Sequence, residues 1–137
     1  MRPLPPSCLE LDTGLVQMEA EARRLACWQP AMKPGLVQTP AYARELLSRP
    51  GRPSMAGLSE EDIEALIVER IRRQEVLYAP GKQIELYIGE AALRTAPGTV
   101  DTLLGQLDRL ATLAGLGAVE VGVIPFPAMP IMPLCSF

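Results

Sequence analysis

The sequence contains no histidine. This absence excludes Ser–His and Cys–His nucleophile pairs, imidazole acid–base catalysis and metal sites that need an imidazole ligand. Aromatic residues make up only 4% of the chain, so a stacking platform for bases or sugars is not expected. Basic residues are outnumbered, with 13 Lys and Arg against 16 Asp and Glu. We therefore expect no nucleic-acid binding by this chain alone.

Cysteine and long apolar runs are also sparse. Cys8, Cys27 and Cys135 are odd in number and widely spaced, which fits neither a disulfide framework nor a zinc site and suggests a reducing compartment. No apolar run approaches the ~20 residues that a membrane span needs, and the N-terminus lacks a signal-peptide pattern. These absences predict a cytoplasmic protein with no membrane partner, no metal and no cofactor.

What remains is the composition of one folded domain. The chain has 137 residues, of which 48% are hydrophobic and 21% charged, and it is long enough to bury a single core. Of its 14 prolines, three fall in residues 3–6 and four in residues 125–133, where they favour extended or irregular backbone. The pattern predicts a flexible arm over residues 1–12, a domain over residues 13–127 and an apolar tail over residues 128–137.

Capping residues and apolar periodicity predict the elements of the domain. Four predicted helices run from Asp12 or Thr13 to about Ala26, over residues 40–48 after Thr39, from Ser59 to about Tyr78, and from Thr99 to Gly115. Two predicted strands, Gln83–Gly89 and Val119–Ile124, flank the last helix and form a parallel βαβ unit. We expect an α+β fold with N-terminal helices packed on a small sheet, followed by the proline-rich tail.

The tail is informative because residues 125–137 carry no charge. A segment this apolar must pack against apolar surface. That surface is the core of the same chain, a partner subunit or the wall of a ligand cavity. Met129, Ile131 and Met132 suit a flexible wall for an apolar guest.

Polar residues on apolar helix faces are the candidate functional groups. Glu19 interrupts an apolar stripe, either as an edge residue paired with Arg23 or as a carboxylate that points into a pocket. Gln74 and Gln106 are amides on otherwise apolar helix faces, so each side chain needs a hydrogen-bond partner. They are structural if they meet across the core and orient a ligand if they line a cavity. Arg73 is expected to pair with Glu69 on a solvated helix face.

Several segments in this order resemble one family. They are EAEA (19–22), WQP (28–30), KPGLVQTPAYAR (33–44), RIRRQ (70–74), GEAALR (89–94), QLDRL (106–110) and VIPF (123–126). The chain thus resembles, from about residue 13 to about residue 127, the uncharacterised C-terminal domain of actinobacterial XRE-type helix-turn-helix regulators. The run over residues 34–43 is the most specific part. After Pro125 and Phe126 that family tends to have glycine and histidine, where this chain has Pro127 to Met132.

The resemblance implies a domain that senses a ligand or a partner. Only 33 residues precede Pro34, so we expect the sensor-like part without the DNA-reading bundle. The predicted function is a stand-alone module that binds an apolar small molecule or a protein partner, as a homodimer. The alternative is a biosynthetic enzyme of secondary metabolism, a cyclase or isomerase of an apolar intermediate.

Each function has its candidate residues. The candidate acids and bases of an enzyme are Glu19, Glu90, Tyr42 and Tyr87. The candidate ligand-binding residues are Glu19, Trp28, Gln74, Tyr87, Phe126, Met129, Ile131 and Met132.

Overall fold

The computed structural model describes residues 8–50 and 57–128, and for residues 8–14 it describes the backbone alone. The elements in chain order are α1 (Cys8–Glu21), β1 (Arg24–Gln29), α2 (Pro40–Leu47), α3 (Glu60–Arg73), β2 (Gln83–Gly89), α4 (Glu90–Arg94), α5 (Val100–Ala114) and β3 (Val119–Ile124). The predicted tail contacts of Met129, Ile131 and Met132 lie outside the described residues.

The three strands form one parallel sheet in the order β1–β2–β3. Cys27 of β1 lies opposite Leu86 of β2, and Leu86 lies opposite Val121 of β3. Parallel neighbours need long crossovers. The crossover from β1 to β2 contains α2 and α3, and the crossover from β2 to β3 contains α4 and α5. The predicted α+β class and the parallel pairing of β2 with β3 are both confirmed.

The main core lies on one face of the sheet. Side chains alternate between the two faces of a strand, and Ile84, Leu86 and Ile88 of β2 are fully buried on the same face. The cluster around them is completed by Leu36, Val37, Leu77, Ala92, Leu110, Leu113 and Val119. A smaller cluster of Ala43, Leu47, Leu66 and Ile67 joins α2 to α3. The helices therefore pack on the sheet as the apolar periodicity predicts.

Three of the four predicted helix starts, at Thr39, Ser59 and Thr99, are confirmed at atomic detail. The hydroxyls of Thr39 and Thr99 accept hydrogen bonds from the third residue of α2 and of α5. Ser59 and Asp62 form the reciprocal capping box of α3, in which each side chain bonds to the backbone N–H of the other residue. These bonds satisfy amide groups that a helix leaves without an internal partner.

Both ends of the first predicted helix are wrong. The helix begins at Cys8 instead of Asp12 or Thr13 and ends at Glu21, and the residues from Arg24 onward form strand β1. In the residues RLACWQ, the half-buried Leu25 and Cys27 alternate with the exposed Arg24 and Ala26 and pack on the core, and Trp28 is buried. The helical stripe thus overlaps a strand pattern, and pairing with β2 decides between the two. The long third helix also differs at its end, because the backbone turns from α-helix to 3₁₀-helix at Gln74.

Candidate functional site

A concave apolar surface lies between α1, the edge strand β1 and the turn after β1. It has a volume of about 430 Å³, and we call it the α1–β1 groove. Its walls are Leu15, Met18, Glu19, Ala22, Leu25, Ala26, Cys27, Gln29, Pro34, Gly35, Leu36 and Arg73. Only two of these residues carry a formal charge, so most of the wall is apolar or uncharged.

The groove keeps large apolar side chains in contact with solvent. Leu15 is 44% exposed and Met18 is 69% exposed, although both lie on the side of α1 that faces the groove. Leu25 and Cys27 form the opposite wall and are half-buried against the core. Burial raises the pKa of the Cys27 thiol, and the charge of Glu19 raises it further while Arg73 opposes both. The thiol therefore stays protonated and behaves as part of the apolar wall.

An ion pair lies at the inner side of the groove. Arg73 donates from Nε to Glu19 Oε2 at 3.0 Å and from Nη2 to Oε1 at 2.7 Å. The side chain of Arg73 is 10% exposed and that of Glu19 is 12% exposed. Glu19 is thus a buried carboxylate on the wall of a cavity, and its partner is Arg73 of α3 instead of Arg23.

The same contact corrects the prediction for α3. Arg73 does not face Glu69 on a solvated helix face, because it crosses to Glu19 of α1. Within α3, Glu69 instead approaches Arg72, with Nε and Oε1 3.8 Å apart. Helical periodicity predicts pairs one turn apart on the same helix, and it cannot predict a partner on another helix.

Lys82 holds the C-terminal end of α1, a role that the sequence did not reveal. Its Nζ donates to the carbonyl oxygens of Glu19, Ala20 and Ala22 at 2.8, 2.7 and 2.5 Å. The last carbonyls of a helix have no internal partner and carry partial negative charge, so an ammonium group satisfies both needs. The sequence signal was missing because Lys82 is some 60 residues away from the helix that it caps.

The loop over residues 33–39, which we call the signature loop, is buried although it has no regular structure apart from one 3₁₀ turn. Three glutamines satisfy its backbone. Gln38 donates to Lys33 O at 2.8 Å, and Gln74 donates to Gln38 O at 2.7 Å. Gln106 donates to Val37 O and accepts from Thr39 N, both at 2.7 Å. A buried loop needs such partners, since its amides and carbonyls have no water.

The two amides that the sequence singled out are thereby explained. Gln74 and Gln106 do not bond to each other, but both bond to the backbone of the signature loop. Gln74 also accepts from Arg109 at 3.3 Å. The geometry supports the structural alternative for both side chains, while a contact of Gln74 with a ligand stays a prediction.

A family model described as a domain of unknown function, DUF5753, matches residues 13–136. The chain belongs to this family. The match includes the α1–β1 groove, the Glu19–Arg73 pair and the signature loop. A search of curated proteins and a search of solved structures each returned no match.

Lys33 is the most unusual charged residue of this DUF5753 domain. Its side chain is fully buried, and Nζ donates to Thr95 O at 2.8 Å. The ammonium group also lies 4.8 Å from the centre of the Tyr42 ring. Burial lowers the pKa of Lys33 to about 8, because removal from water disfavours the charged form. Tyr42, a candidate acid or base, is therefore a buried neighbour of this lysine.

Other predicted site residues lie on the opposite face of the sheet from the main core. Trp28 and Tyr87 are partners in the register of β1 and β2. The Tyr87 ring lies over Gly122, where an added Cβ would come within 2.8 Å of it. The nearby carboxylates of Glu85 and Glu120 raise the pKa of Tyr87, because a phenolate beside them is disfavoured. Glu19 and Tyr87 therefore do not share a wall.

Glu90 and Phe126 meet where β2 and β3 end. Phe126 N donates to Glu90 Oε2 at 3.0 Å, and Arg94 donates to Oε1 of the same carboxylate. The Phe126 amide and then Arg94 lower the pKa of Glu90. The Glu90 carboxylate therefore already accepts hydrogen bonds from two groups of the protein. The Phe126 side chain is about half exposed.

Two further properties bear on possible ligands. Within residues 15–50 and 57–128, whose side chains the structure describes, no three Cys, Asp or Glu side chains come together in a way that could hold a metal ion. In the same part of the chain, no helix combines the length and the apolar character of a membrane span.

Proposed function

We propose that this DUF5753 domain binds a largely apolar small molecule in the α1–β1 groove. The observation that carries the proposal is the groove itself, in which Leu15 and Met18 leave apolar surface open to solvent. Its volume of about 430 Å³ lies within the range of small-molecule sites. A concave surface with apolar walls and few polar groups is the usual form of such a site.

The proposal includes the biological setting that the sequence resemblance implies. The domain would act as a binding module related to the sensor domains of XRE-type helix-turn-helix regulators, and binding would be its activity. Its excess of acidic residues supports a role that does not involve direct contact with DNA.

A homodimer or a protein partner stays a prediction. In the described part of the sheet, β1 and β3 each pair with β2 alone and so leave one edge without a strand. Open edges are surfaces on which another chain could pair. Cross-linking or light scattering at micromolar concentration tests this prediction, and a monomer would contradict it.

The enzyme alternative draws no specific support from the site. Glu19 is paired with Arg73, and Glu90 is held by Arg94 and the Phe126 amide. Tyr42 is buried beside Lys33, and Tyr87 donates to Glu85 at 3.3 Å. Each candidate acid or base therefore already has a partner within the protein, so we pursue the binding function.

We expect Ala22→Phe to weaken binding of the fluorescent apolar probe N-phenyl-1-naphthylamine by at least tenfold. Ala22 lines the groove, so a benzyl group at this position occupies space that the probe needs. Fluorescence titration gives the Kd, and circular dichroism checks the fold. The matched control is Ala41→Phe, which adds the same group at an exposed position of α2 and should leave the Kd unchanged.

Met18→Asp provides a second variant that does not depend on how the protein tolerates a larger side chain. Met18 is mostly exposed, so its replacement should leave the fold intact while placing a charge on the groove wall. An unchanged Kd in folded Ala22→Phe and Met18→Asp would contradict the proposed function.

A further inference from the structure

The Glu19–Arg73 ion pair separates two cavities. One is the α1–β1 groove. The other, of about 380 Å³, lies between α1 and the end of α3, and its walls include Val16, Ala20, Val76 and Lys82. Glu19 and Arg73 line both cavities. The pair therefore lies between the two cavities, on the inner side of α1.

The part of helix α1 whose side chains are described, residues 15–21, is held to the body of the protein largely by polar contacts. Among its described side chains, those of residues 15–21, only Glu19 is buried and only Val16 is half-buried. Arg73 holds the carboxylate of Glu19, and Lys82 holds the carbonyl groups at the end of the helix. Because so little apolar surface secures residues 15–21, the ion pair contributes a large share of their attachment.

The two partners of the pair differ in their freedom to reach water. Arg73 belongs to α3, which packs against α2 through Leu66 and Ile67. Glu19 belongs to the lightly held segment 15–21, and a small outward movement of this segment would hydrate its carboxylate. A competitor would therefore displace Glu19 and take its place on the guanidinium.

We propose that the groove takes an apolar molecule with a carboxylate group, and that this carboxylate replaces Glu19 on Arg73. This inference rests on the proposed function and names its ligand class. The exchange keeps Arg73 paired, because a ligand carboxylate accepts the same two hydrogen bonds in the same planar geometry. The apolar part of the ligand then covers Leu15, Met18 and Leu25. Release of Glu19 loosens the end of α1, which couples ligand binding to the position of that helix.

The test compares octanoate with 1-octanol and octylammonium, three probes with the same chain and different head groups. Calorimetric titration of the full chain should give binding of octanoate that Glu19→Gln tightens at least tenfold. The reason is that Glu19 competes for Arg73 in the native protein and so reduces the fraction of molecules that can bind. Arg73→Met should abolish the preference for octanoate over 1-octanol.

Glu64→Gln is the matched control. Glu64 also accepts two hydrogen bonds from an arginine, Arg44, at 2.8 and 2.9 Å, but this pair is exposed on the surface. The control removes the same charge from the same kind of pair, so octanoate binding should stay unchanged. Hydrogen exchange gives a second readout in the native chain, where octanoate should speed exchange of the amides in residues 15–22.

The outcomes separate the two proposals. Equal binding of octanoate and 1-octanol, with no effect of Glu19→Gln, would overturn the carboxylate inference and leave the proposed function standing. Preference for octylammonium, or slower exchange in α1 on addition of octanoate, would also overturn the inference. If none of the three probes nor N-phenyl-1-naphthylamine binds, the proposed function itself fails.

Discussion

Gln106→Leu should lower the free energy of unfolding by about 2–5 kcal/mol, as measured by urea denaturation at neutral pH. The Gln106 side chain is fully buried and serves both Val37 O and Thr39 N in the signature loop. Leucine has nearly the same volume but leaves both backbone groups without this partner. Each buried group that loses its hydrogen bond costs about 1–3 kcal/mol.

Gln17→Leu is the control for this prediction. Gln17 is exposed on α1 and donates to Glu21 at 3.1 Å, so its replacement should change stability by less than about 0.5 kcal/mol. A similar small change for Gln106→Leu would show that the signature loop is not secured by this amide.

The stability of the wild-type protein relative to Lys33→Met should increase as the pH rises from 7 to above 10. The pKa of Lys33 is about 8 in the folded protein and about 10.5 when exposed. Below pH 8 both states bind the proton, and the folded state bears the full cost of a buried ammonium group. Between these values only the unfolded state keeps the proton, so stability rises with pH.

The expected gain is about 2–4 kcal/mol over this interval, from the size of the pKa difference. Urea denaturation at a series of pH values measures it. Lys33→Met serves as the reference because it lacks the titrating group while all other groups are retained. A constant difference between the two proteins across this range would contradict the burial of a charged Lys33 beside Tyr42.

Those parts of the fold that depend on local signals could be predicted from the sequence. Thr39, Ser59 and Thr99 begin their helices as capping rules require, and strands β2 and β3 match their predicted bounds. Strand β1 could not be predicted, because Leu25 fits both a helical and an alternating pattern. Pairing with β2 and the Lys82 contacts decide its structure, and both come from residues far along the chain.

In the candidate site, too, local signals could be predicted from the sequence and contacts between distant residues could not. Glu19 was singled out because a carboxylate on an apolar stripe needs an explanation, but its partner Arg73 lies 54 residues away. The groove walls formed by Leu15, Met18 and Leu25 carried no signal, since apolar residues of a cavity and of a core look alike in a sequence.

The signature loop overlaps the most specific part of the sequence resemblance, residues 34–43, and its role is structural. The signature loop is buried and its backbone is bonded by Gln38, Gln74 and Gln106. Such a loop permits few substitutions, because a changed amide would leave buried backbone groups without partners. The groove has a looser requirement, since many apolar side chains can form its wall. The most specific part of the resemblance thus lies in the scaffold, and the contacts that would select a ligand lie beside it.

The most direct test of the α1–β1 groove is a nuclear magnetic resonance measurement of contacts between the methionine methyl groups and a bound probe. The chain has 6 methionines, which can be labelled selectively with ¹³C. With N-phenyl-1-naphthylamine bound, we expect nuclear Overhauser effects from the probe to the methyl group of Met18. Contacts of the bound probe with the methyl groups of Met129 or Met132 alone, and none with Met18, would contradict the account.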